Sequence, residues 1–239
     1  MNKTRGLLLT AGFVLALAFT FSCSGDDNSG GGGDPSSSSG GETQGGGDPS
    51  SSSNGGQGGG NACTNLEPVT IGSQVWAKKD LDCDIQGSIC YDNCSMYGRL
   101  YDWATAMGLP SSCNTSICSN EIQAKHKGIC PAGWHIPSDA EWNELITFAG
   151  GSSTAGAKLK ATNFNGTDNH GFTAMLGGTY YSDTGFGNIG SNGTWWSSSE
   201  GESYSNEAAQ TQQMRLSSEQ VYKGNNTKSS LYSVRCIKD

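Results

Sequence analysis

Three side chains capable of acid–base chemistry lie close together in the chain. His135 is followed by Asp139 and Glu141. A histidine can act as a general base, and a pair of carboxylates can hydrolyse a glycosidic bond. A catalytic histidine also needs a nucleophile and an orienting carboxylate, and the sequence contains no Gly-x-Ser-x-Gly, His-Glu-x-x-His or P-loop motif. Both acids would lie in the first turn of a helix, where capping favours them, so we expect structural roles, no catalytic residues and no enzyme activity.

Cysteine supplies the second candidate chemistry. The chain has nine cysteines, of which Cys23 follows an apolar run near the start. The other eight are an even set that predicts four disulfides in an oxidising compartment: Cys63, Cys83, Cys90, Cys94, Cys113, Cys118, Cys130 and Cys236. We expect Cys130 to pair with Cys236, Cys113 to pair with Cys118, and the remaining four to pair among themselves. Zinc is the alternative, since Cys90-x3-Cys94 and Cys113-x4-Cys118 have ligand-like spacing, but no histidine stands at finger spacing and we expect no metal or cofactor.

Aromatic residues are the third candidate. Exposed aromatic rings can stack on the faces of sugars. The predicted ligand-binding residues are Tyr180, Tyr181, Trp195, Trp196 and Tyr204, with Phe186 nearby. Successive residues of a strand face opposite ways, so at most one of Trp195 and Trp196 can be exposed, and both could belong to the core.

The first 22 residues have the pattern of an export signal. Lys3 and Arg5 precede an apolar run over residues 7–21 that is too short for a preferred membrane span. Thr20-Phe21-Ser22-Cys23 resembles a bacterial lipobox, so we expect a lipoprotein signal peptide at 1–22 and acylation of Cys23, which would anchor the protein stably. Ordinary secretion is the alternative. Asp26 and Asp27 resemble a surface-export signal, although they are equally consistent with the start of a soluble linker. We expect a lipid-anchored protein of the outer membrane at the cell surface, with the periplasmic face as the alternative.

Residues 23–61 are predicted to be a disordered linker. From residue 24 they contain no aromatic or branched aliphatic side chain, and the unit Gly-Gly-Gly-Asp-Pro-Ser-Ser-Ser-Ser occurs at 31–39 and again at 45–53. A random coil of this length spans roughly 35 Å, enough to hold a domain clear of a lipid surface.

Residues 62–239 have the length of one domain with a single core. They carry 12 Lys and Arg against 17 Asp and Glu, without a basic cluster, which argues against nucleic acid as a partner. The patterns predict a hairpin at 69–76, a helix at 97–108, a central strand before Pro137 and a helix capped by Ser138 and ended by Gly150-Gly151. Strands are predicted at 172–181, 193–200, 208–216 and 231–236. Two helices followed by mostly antiparallel, loop-rich strands predict an α+β fold.

Six ordered motifs across residues 66–239 resemble the Fibrobacter succinogenes major paralogous domain family. They are Ile71-Gly72-x-Gln74-x-Trp76, Tyr97-Gly98-Arg99-Leu100-Tyr101-x-Trp103, Cys130-Pro131-x-Gly133-Trp134-His135-x-Pro137-Ser138-x-x-Glu141-Trp142, Gly171-Phe172-x-Ala174-x-x-Gly177-Gly178, Trp195-Trp196-Ser197-Ser198 and Ser233-Val234-Arg235-Cys236. The chain departs from the family at Ala77-Lys78-Lys79-Asp80, where Met-x-Glu-Asn is more usual, and in its extra loop cysteines. The resemblance implies an exported or surface-tethered domain with a fold similar to C-type-lectin-like domains, and it implies no defined activity.

These observations leave three hypotheses for function. The first is a non-enzymatic surface lipoprotein that binds a polysaccharide or a cell-surface protein through the glycine-rich loops of 179–206. The second is a scaffold for cell-surface assembly without a small-ligand site. The third is an enzyme on a fold like that of formylglycine-generating enzymes. Such an enzyme would need a pair of reactive cysteines near the C-terminus, and no second cysteine lies close to Cys236 in the sequence. Calcium-dependent sugar binding is not expected, because the strand around Trp195 carries no acidic ligands and no Glu-Pro-Asn or Gln-Pro-Asp tripeptide occurs.

Overall fold

Both ends of the domain meet in one antiparallel sheet. The computed structural model describes residues 66–92, 94–201 and 206–239. The predicted signal peptide and the predicted linker, together with Cys63 and Tyr204, therefore lie outside the described residues, as does Cys23. Strands β1 (Pro68–Ile71) and β2 (Gln74–Ala77) form the predicted hairpin, and β11 (Ile237–Lys238) pairs with both β2 and β4 (Trp134–His135). The hairpin turn contains Gly72, whose φ of +63° suits glycine.

A five-stranded sheet forms the second layer, in the order β3-β10-β7-β8-β9. Its strands are β3 (Leu100–Tyr101), β7 (Asn192–Glu200), β8 (Ala208–Arg215), β9 (Val221–Thr227) and β10 (Tyr232–Ser233). Strand β10 runs parallel to β7, whereas β3–β10, β7–β8 and β8–β9 are antiparallel. A two-stranded ribbon of β5 (Thr179–Tyr181) and β6 (Gly185–Gly187) lies beside this sheet and is joined to it by an antiparallel bridge between Tyr180 and Leu231.

Local signals correctly predicted the longest helix, α2 (Asp139–Phe148). Ser138 accepts a hydrogen bond from the backbone of Glu141, and the Glu141 side chain accepts one from the backbone of Ser138, which confirms the capping box. Trp142 and Leu145 on the apolar stripe of the helix are buried. Gly150 and Gly151 follow with positive φ, so the chain leaves the helix where expected.

The first helix was predicted too long. Leu100 and Tyr101 form strand β3 on β10, and helix α1 covers only Trp103–Met107. Asp102 starts α1, because its side chain accepts a hydrogen bond from the backbone N–H of Thr105.

Other elements differ from the predicted pattern. Helix α3 (Ala155–Leu159) and strand β9 were not predicted, and three short 3-10 turns lie at Ser111–Asn114, Ser119–Glu121 and Thr162–Phe164. Of the strand predicted at 172–181, only Thr179–Tyr181 is extended and paired in β5. The α+β class with mostly antiparallel strands is confirmed, and none of the helices in the described segments is long and apolar enough to cross a membrane.

The core consists of two hydrophobic clusters with strand β7 between them. Trp76 and Trp142 pack at 4.8 Å between ring centroids in the first cluster, which also contains Trp195. Trp196 packs on Tyr232 at 4.7 Å in the second cluster. Adjacent residues of β7 thus supply one indole to each core.

Two buried cations bridge distant parts of the fold. Arg235 Nε donates to Asp80 Oδ1 at 2.6 Å, and its Nη1 donates to the carbonyl of Phe172. Lys228 is fully buried, pairs with Glu200, and donates to the carbonyls of Ser116 and Asn206. Because each cation has several acceptors, the cost of burying its charge is offset.

The described disulfides agree with the sequence predictions. Cys130 is bonded to Cys236 and Cys113 to Cys118, as expected. Cys90 is bonded to Cys94, and Cys83 is disulfide-bonded as well. Cys63 is the partner that the prediction leaves for Cys83, and it lies outside the described residues. The cysteine pairs with zinc-like spacing are therefore disulfides, and their sulfur atoms are not free thiolate ligands.

Candidate binding surface

The two tryptophans of β7 cannot contact a ligand. Trp195 and Trp196 are both 0% exposed. The Trp195 indole N–H donates to Asp80 Oδ1 at 2.8 Å, and that of Trp196 donates to the carbonyl of Tyr101 at 2.7 Å. Their prediction as ligand-binding residues is wrong, because β7 is a central strand covered on both faces. Alternation therefore directs one ring into each core and neither to solvent.

The tyrosines of β5 lie instead on the two-stranded ribbon of β5 and β6. Tyr180 pairs with Phe186 across the ribbon, and their rings meet edge to face at 5.1 Å. Tyr91, from the loop closed by the Cys90–Cys94 disulfide, packs edge to face on Phe186 at 5.6 Å. We name Tyr91, Tyr180, Tyr181 and Phe186 the aromatic ribbon. Tyr91 is 46% exposed, and Tyr181 and Phe186 are each 37% exposed.

Glycine explains why Tyr181 remains accessible. Across the ribbon it faces Gly185, and Gly187 lies diagonally opposite on the same face. Neither glycine offers a side chain to cover the ring, and a Cβ atom at Gly185 would have nothing within 4 Å. Alternation places Tyr181 on the face opposite Tyr180 and Phe186, so both faces of the ribbon carry aromatic rings.

The base of the ribbon is firmly attached to the domain. Tyr180 and Leu231 exchange two backbone hydrogen bonds, at 3.0 and 3.2 Å. Gly178 precedes β5 with φ of +73°, and a Cβ atom there would lie 2.4 Å from the carbonyl oxygen of Gly187. The close approach of these two backbone segments requires glycine at position 178. The ribbon is therefore positioned by backbone contacts, and its aromatic side chains remain available.

Two concavities lie at the Cys90–Cys94 loop, and the first of them borders the aromatic ribbon at Tyr91. One of about 280 Å³ is lined by Tyr91 and Tyr97, and the other, of about 340 Å³, is lined by Asp82 and Met175. Met96 lines both and is an exposed apolar side chain. Sequence reasoning missed Tyr91 and Met96, because residues 83–94 are mostly polar. An aromatic residue between two closely spaced cysteines was the available signal.

His135 is held between two carboxylates. Its Nδ1 donates to Asp239 Oδ1 at 2.7 Å, and its Nε2 donates to Glu141 Oε1 at 2.8 Å. Burial alone would lower the pKa of His135, but the hydrogen bonds to Glu141 and Asp239 outweigh burial and hold that pKa above its usual value. While the imidazole is protonated, both ring nitrogens donate and neither has a lone pair available for general-base catalysis.

The two candidate acids also have structural partners. Burial would raise the pKa of Glu141, but hydrogen bonds from His135 and Ser138 outweigh it and lower that pKa. Asp139 Oδ2 accepts from Lys223 at 2.9 Å and from Asn143 at 3.0 Å. Glu141 is thus bound to His135 and Ser138, and Asp139 to Lys223 and Asn143, so the two carboxylates are not arranged as a hydrolytic pair. Among the residues that the structure describes, no cluster of three His, Cys, Asp or Glu side chains could hold a metal ion.

These features describe an exposed aromatic ribbon on a disulfide-bonded α+β domain. The chain belongs to the Fibrobacter succinogenes major domain family, whose model matches residues 69–238. The match confirms the family resemblance of the six sequence motifs and covers all of the aromatic ribbon. No curated protein and no solved structure matches the chain.

Proposed function

We propose that the aromatic ribbon binds a polysaccharide at the cell surface, on a lipoprotein tethered through Cys23 and the linker. The observation that carries the proposal is the cluster of Tyr91, Tyr180 and Phe186 on an exposed ribbon, with Tyr181 on its other face. Flat rings that are half-exposed and rigidly supported can stack on the apolar faces of sugars. The domain acts by binding and not by catalysis, and a cell-surface protein is the alternative partner.

Charge favours a neutral polymer. Asp92 borders the ribbon and Asp183 lies in its turn. With the net negative charge of the domain, these carboxylates would repel a polyanion. Stacking at a few rings supports a Kd on the order of 1 mM for a single contact, which repeated units of an insoluble polymer would strengthen.

The proposal also includes the superfamily of the fold and the cellular location of the protein. We infer a C-type-lectin-like domain. The inference is supported by the six motifs and by the pairing of β2, near the start of the domain, with β11, near its end. A second sheet with long loops supports it as well. Outer-membrane anchoring is supported by the lipobox-like sequence before Cys23 and by the acidic residues after it.

The test is retention of the oxidised full-length protein on insoluble cellulose, xylan and chitin, with calcium and with chelator. Phe186→Ala removes the ring that contacts both Tyr91 and Tyr180 and should reduce retention about tenfold. Phe148→Ala is the matched control, because Phe148 is 54% exposed but packs on His170 at the end of α2. Phe148→Ala should leave retention unchanged, as should the chelator.

Absence of retention on every polymer would overturn polysaccharide binding and favour a protein partner or a scaffold. Equal retention of the Phe186→Ala variant would show that the ribbon is not the binding surface. Thermal unfolding of both variants checks that the domain remains folded.

A further inference from the structure

The rings of the aromatic ribbon are steeply inclined to one another. Phe186 meets Tyr180 at an interplanar angle of 72° and meets Tyr91 at 78°. A ring stacks on a sugar with its flat face, and a ring that is presented edge-on offers little area for stacking. A flat surface can therefore lie against the face of Phe186 or against the face of one of these neighbours, but not against Phe186 and a neighbour together.

The fourth ring of the ribbon, Tyr181, lies on the opposite face. Tyr180 and Leu231 form an antiparallel bridge. One residue further along each segment, Tyr181 and Tyr232 therefore lie diagonally across from each other on one face. Their side chains are hydrogen-bonded to each other, in agreement with this register. Because this bond attaches Tyr181 to strand β10 of the main sheet, its ring does not join Tyr180 and Phe186 on their face.

The four rings of the ribbon thus do not form a flat platform. A crystalline polysaccharide presents a plane of parallel chains, and strong stacking on that plane requires several protein rings that are themselves coplanar. The ribbon is also short, because its strands have three residues each and a rise of about 3.3 Å per residue gives a length of about 10 Å. A crystal face would meet the flat side of Phe186 without that of Tyr91 or Tyr180.

A single, separated chain fits this geometry better. Rotation about its glycosidic bonds lets successive sugars turn, so neighbouring sugars can stack on protein rings of different inclination. The concavity of about 280 Å³ beside Tyr91 can enclose one chain on several sides, whereas a flat crystal face cannot enter it. Asp92, an exposed residue of its lining, can accept hydrogen bonds from the hydroxyl groups of such a chain.

We propose that the aromatic ribbon binds single polysaccharide chains, in soluble or non-crystalline form, and does not bind the faces of crystalline polysaccharide. The inference rests on the proposed function and specifies its ligand. Successive sugars of one neutral chain stack on Phe186 and on its neighbours Tyr91 and Tyr180. The physical state of the polymer, as well as the identity of its sugar, then decides what the protein binds.

The test compares the same polysaccharide in different physical states. Oxidised full-length protein is mixed with microcrystalline and with acid-swollen, non-crystalline cellulose, with the same two forms of chitin, and with insoluble xylan. Retention is expressed per unit of accessible polymer surface. The soluble β-1,4-linked hexasaccharides of glucose, N-acetylglucosamine and xylose are then added as competitors up to about 10 mM, because stacking on a few rings gives a Kd on the order of 1 mM.

We expect retention on the swollen form to exceed retention on the crystalline form several-fold. The hexasaccharide of the same sugar should displace most of the bound protein. In nuclear magnetic resonance of the ¹⁵N-labelled protein, that hexasaccharide should shift the backbone amide signals of Gly185–Gly187 in β6.

Phe186→Ala should weaken hexasaccharide binding about tenfold, because Phe186 is the ring that contacts both neighbours. Tyr91→Ala removes one of these neighbours from a separate loop and keeps the test valid if Phe186→Ala does not fold. Phe148→Ala is the matched control, since it removes an exposed ring outside the ribbon and should leave hexasaccharide binding unchanged.

Two results would overturn the inference and leave the proposed function standing. In the first, retention depends on Phe186 but the hexasaccharides do not displace the protein. In the second, retention per unit surface on a crystalline form equals or exceeds that on its swollen form. Absence of both retention and hexasaccharide binding would overturn the proposed function and the inference with it. Hexasaccharide binding at full affinity in both Phe186→Ala and Tyr91→Ala would place the site outside the ribbon and would also overturn both.

Discussion

Replacement of His135 by glutamine should destabilise the domain in a pH-dependent way. His135 lies on β4 and connects the start of α2, through Glu141, to the last residue of the chain, Asp239. The ring is 1% exposed, so both ion pairs form at a buried cation. Glutamine can replace one hydrogen bond but carries no charge.

The size of the effect follows from the exposure of the partners. A hydrogen bond to a charged group contributes about 1.5–3 kcal/mol when it is sheltered from water. Asp239 is half exposed, so its pair is screened and should contribute about 1 kcal/mol or less. Glu141 is better shielded but keeps its bonds to Ser138. We therefore expect a loss of about 2–3 kcal/mol near pH 6, which corresponds to a fall in Tm of about 8 °C for a domain of this size.

The pH dependence has a defined direction. Since the pKa of His135 is raised on folding, protonation favours the folded state. This contribution is complete below the unfolded pKa near 6.5 and is lost as pH rises through the folded pKa. The pKa of Glu141 is lowered from 4.5 on folding, so its contribution is present above about pH 4.5 and is lost as pH falls through the folded pKa. The difference between wild type and His135→Gln should be largest between about pH 5 and 6.5 and should shrink by pH 9.

Urea unfolding of the oxidised full-length protein at pH 6 and pH 9 measures this difference. His126→Gln is the matched control, because the His126 ring contacts the carbonyl of Met107 and the backbone N–H of Gln123 and no carboxylate. The same two measurements on His126→Gln show how much pH dependence the loss of a histidine outside this pair of ion pairs produces. If His135→Gln costs the same free energy of unfolding at pH 6 and at pH 9, the ring is not charged in the folded protein and the reasoning fails.

Two further predictions concern covalent and ionic cross-links. The Cys130–Cys236 disulfide spans 106 residues, and the Cys113–Cys118 disulfide spans five. Replacing the first pair by serine should lower the free energy of unfolding in urea by about 5 kcal/mol, and replacing the second should lower it by about 2 kcal/mol. Equal costs would contradict the loop-entropy explanation. Lys228→Met should cost about 3–5 kcal/mol because it leaves a buried carboxylate unpaired. Adding Glu200→Gln to Lys228→Met removes the charge of that carboxylate and should recover at least about 1 kcal/mol of the free energy of unfolding. No recovery in the double variant would show that the buried charge is not the cause of the loss.

Elements specified by neighbouring residues could be predicted from the sequence. Helix α2 has its cap, acidic first turn, apolar stripe and terminating glycines within a few residues of one another. The segment around Leu100 and Tyr101 could not be resolved in this way. Its apolar spacing also suits a helix, and the choice of strand depends on pairing with β10, more than a hundred residues further along the chain. Strand β9, with the sequence VYKGNNT, is extended because β8 pairs with it along its whole length and not because of its own propensity.

The candidate site was predictable only in part. The parity of the cysteines predicted that they pair as disulfides, but eight cysteines allow many pairings, so parity alone did not predict which cysteine bonds to which. The contact of Tyr91 with Phe186 was not predictable, because it joins a disulfide loop to a ribbon about a hundred residues away. The burial of Gln212 was signalled only weakly, because Gln212 alternates with the apolar residues Ala208 and Met214 on one face of the predicted strand.

The same alternation rule gives opposite outcomes on β7 and β5, and the difference lies in what covers each strand. Strand β7 has neighbours on both sides and a core on each face, so the Trp195–Trp196 pair fills both cores. Strand β5 pairs with β6 in a ribbon whose facing residues include Gly185 and Gly187, so the Tyr180–Tyr181 pair keeps exposed ring surface on each face. The composition of an aromatic pair therefore does not distinguish a core from a binding surface. The residues opposite the pair do: Tyr181 faces Gly185, with Gly187 diagonally opposite, and neither offers a side chain to the ring, which makes the 37% exposed Tyr181 a better candidate for sugar stacking than either tryptophan.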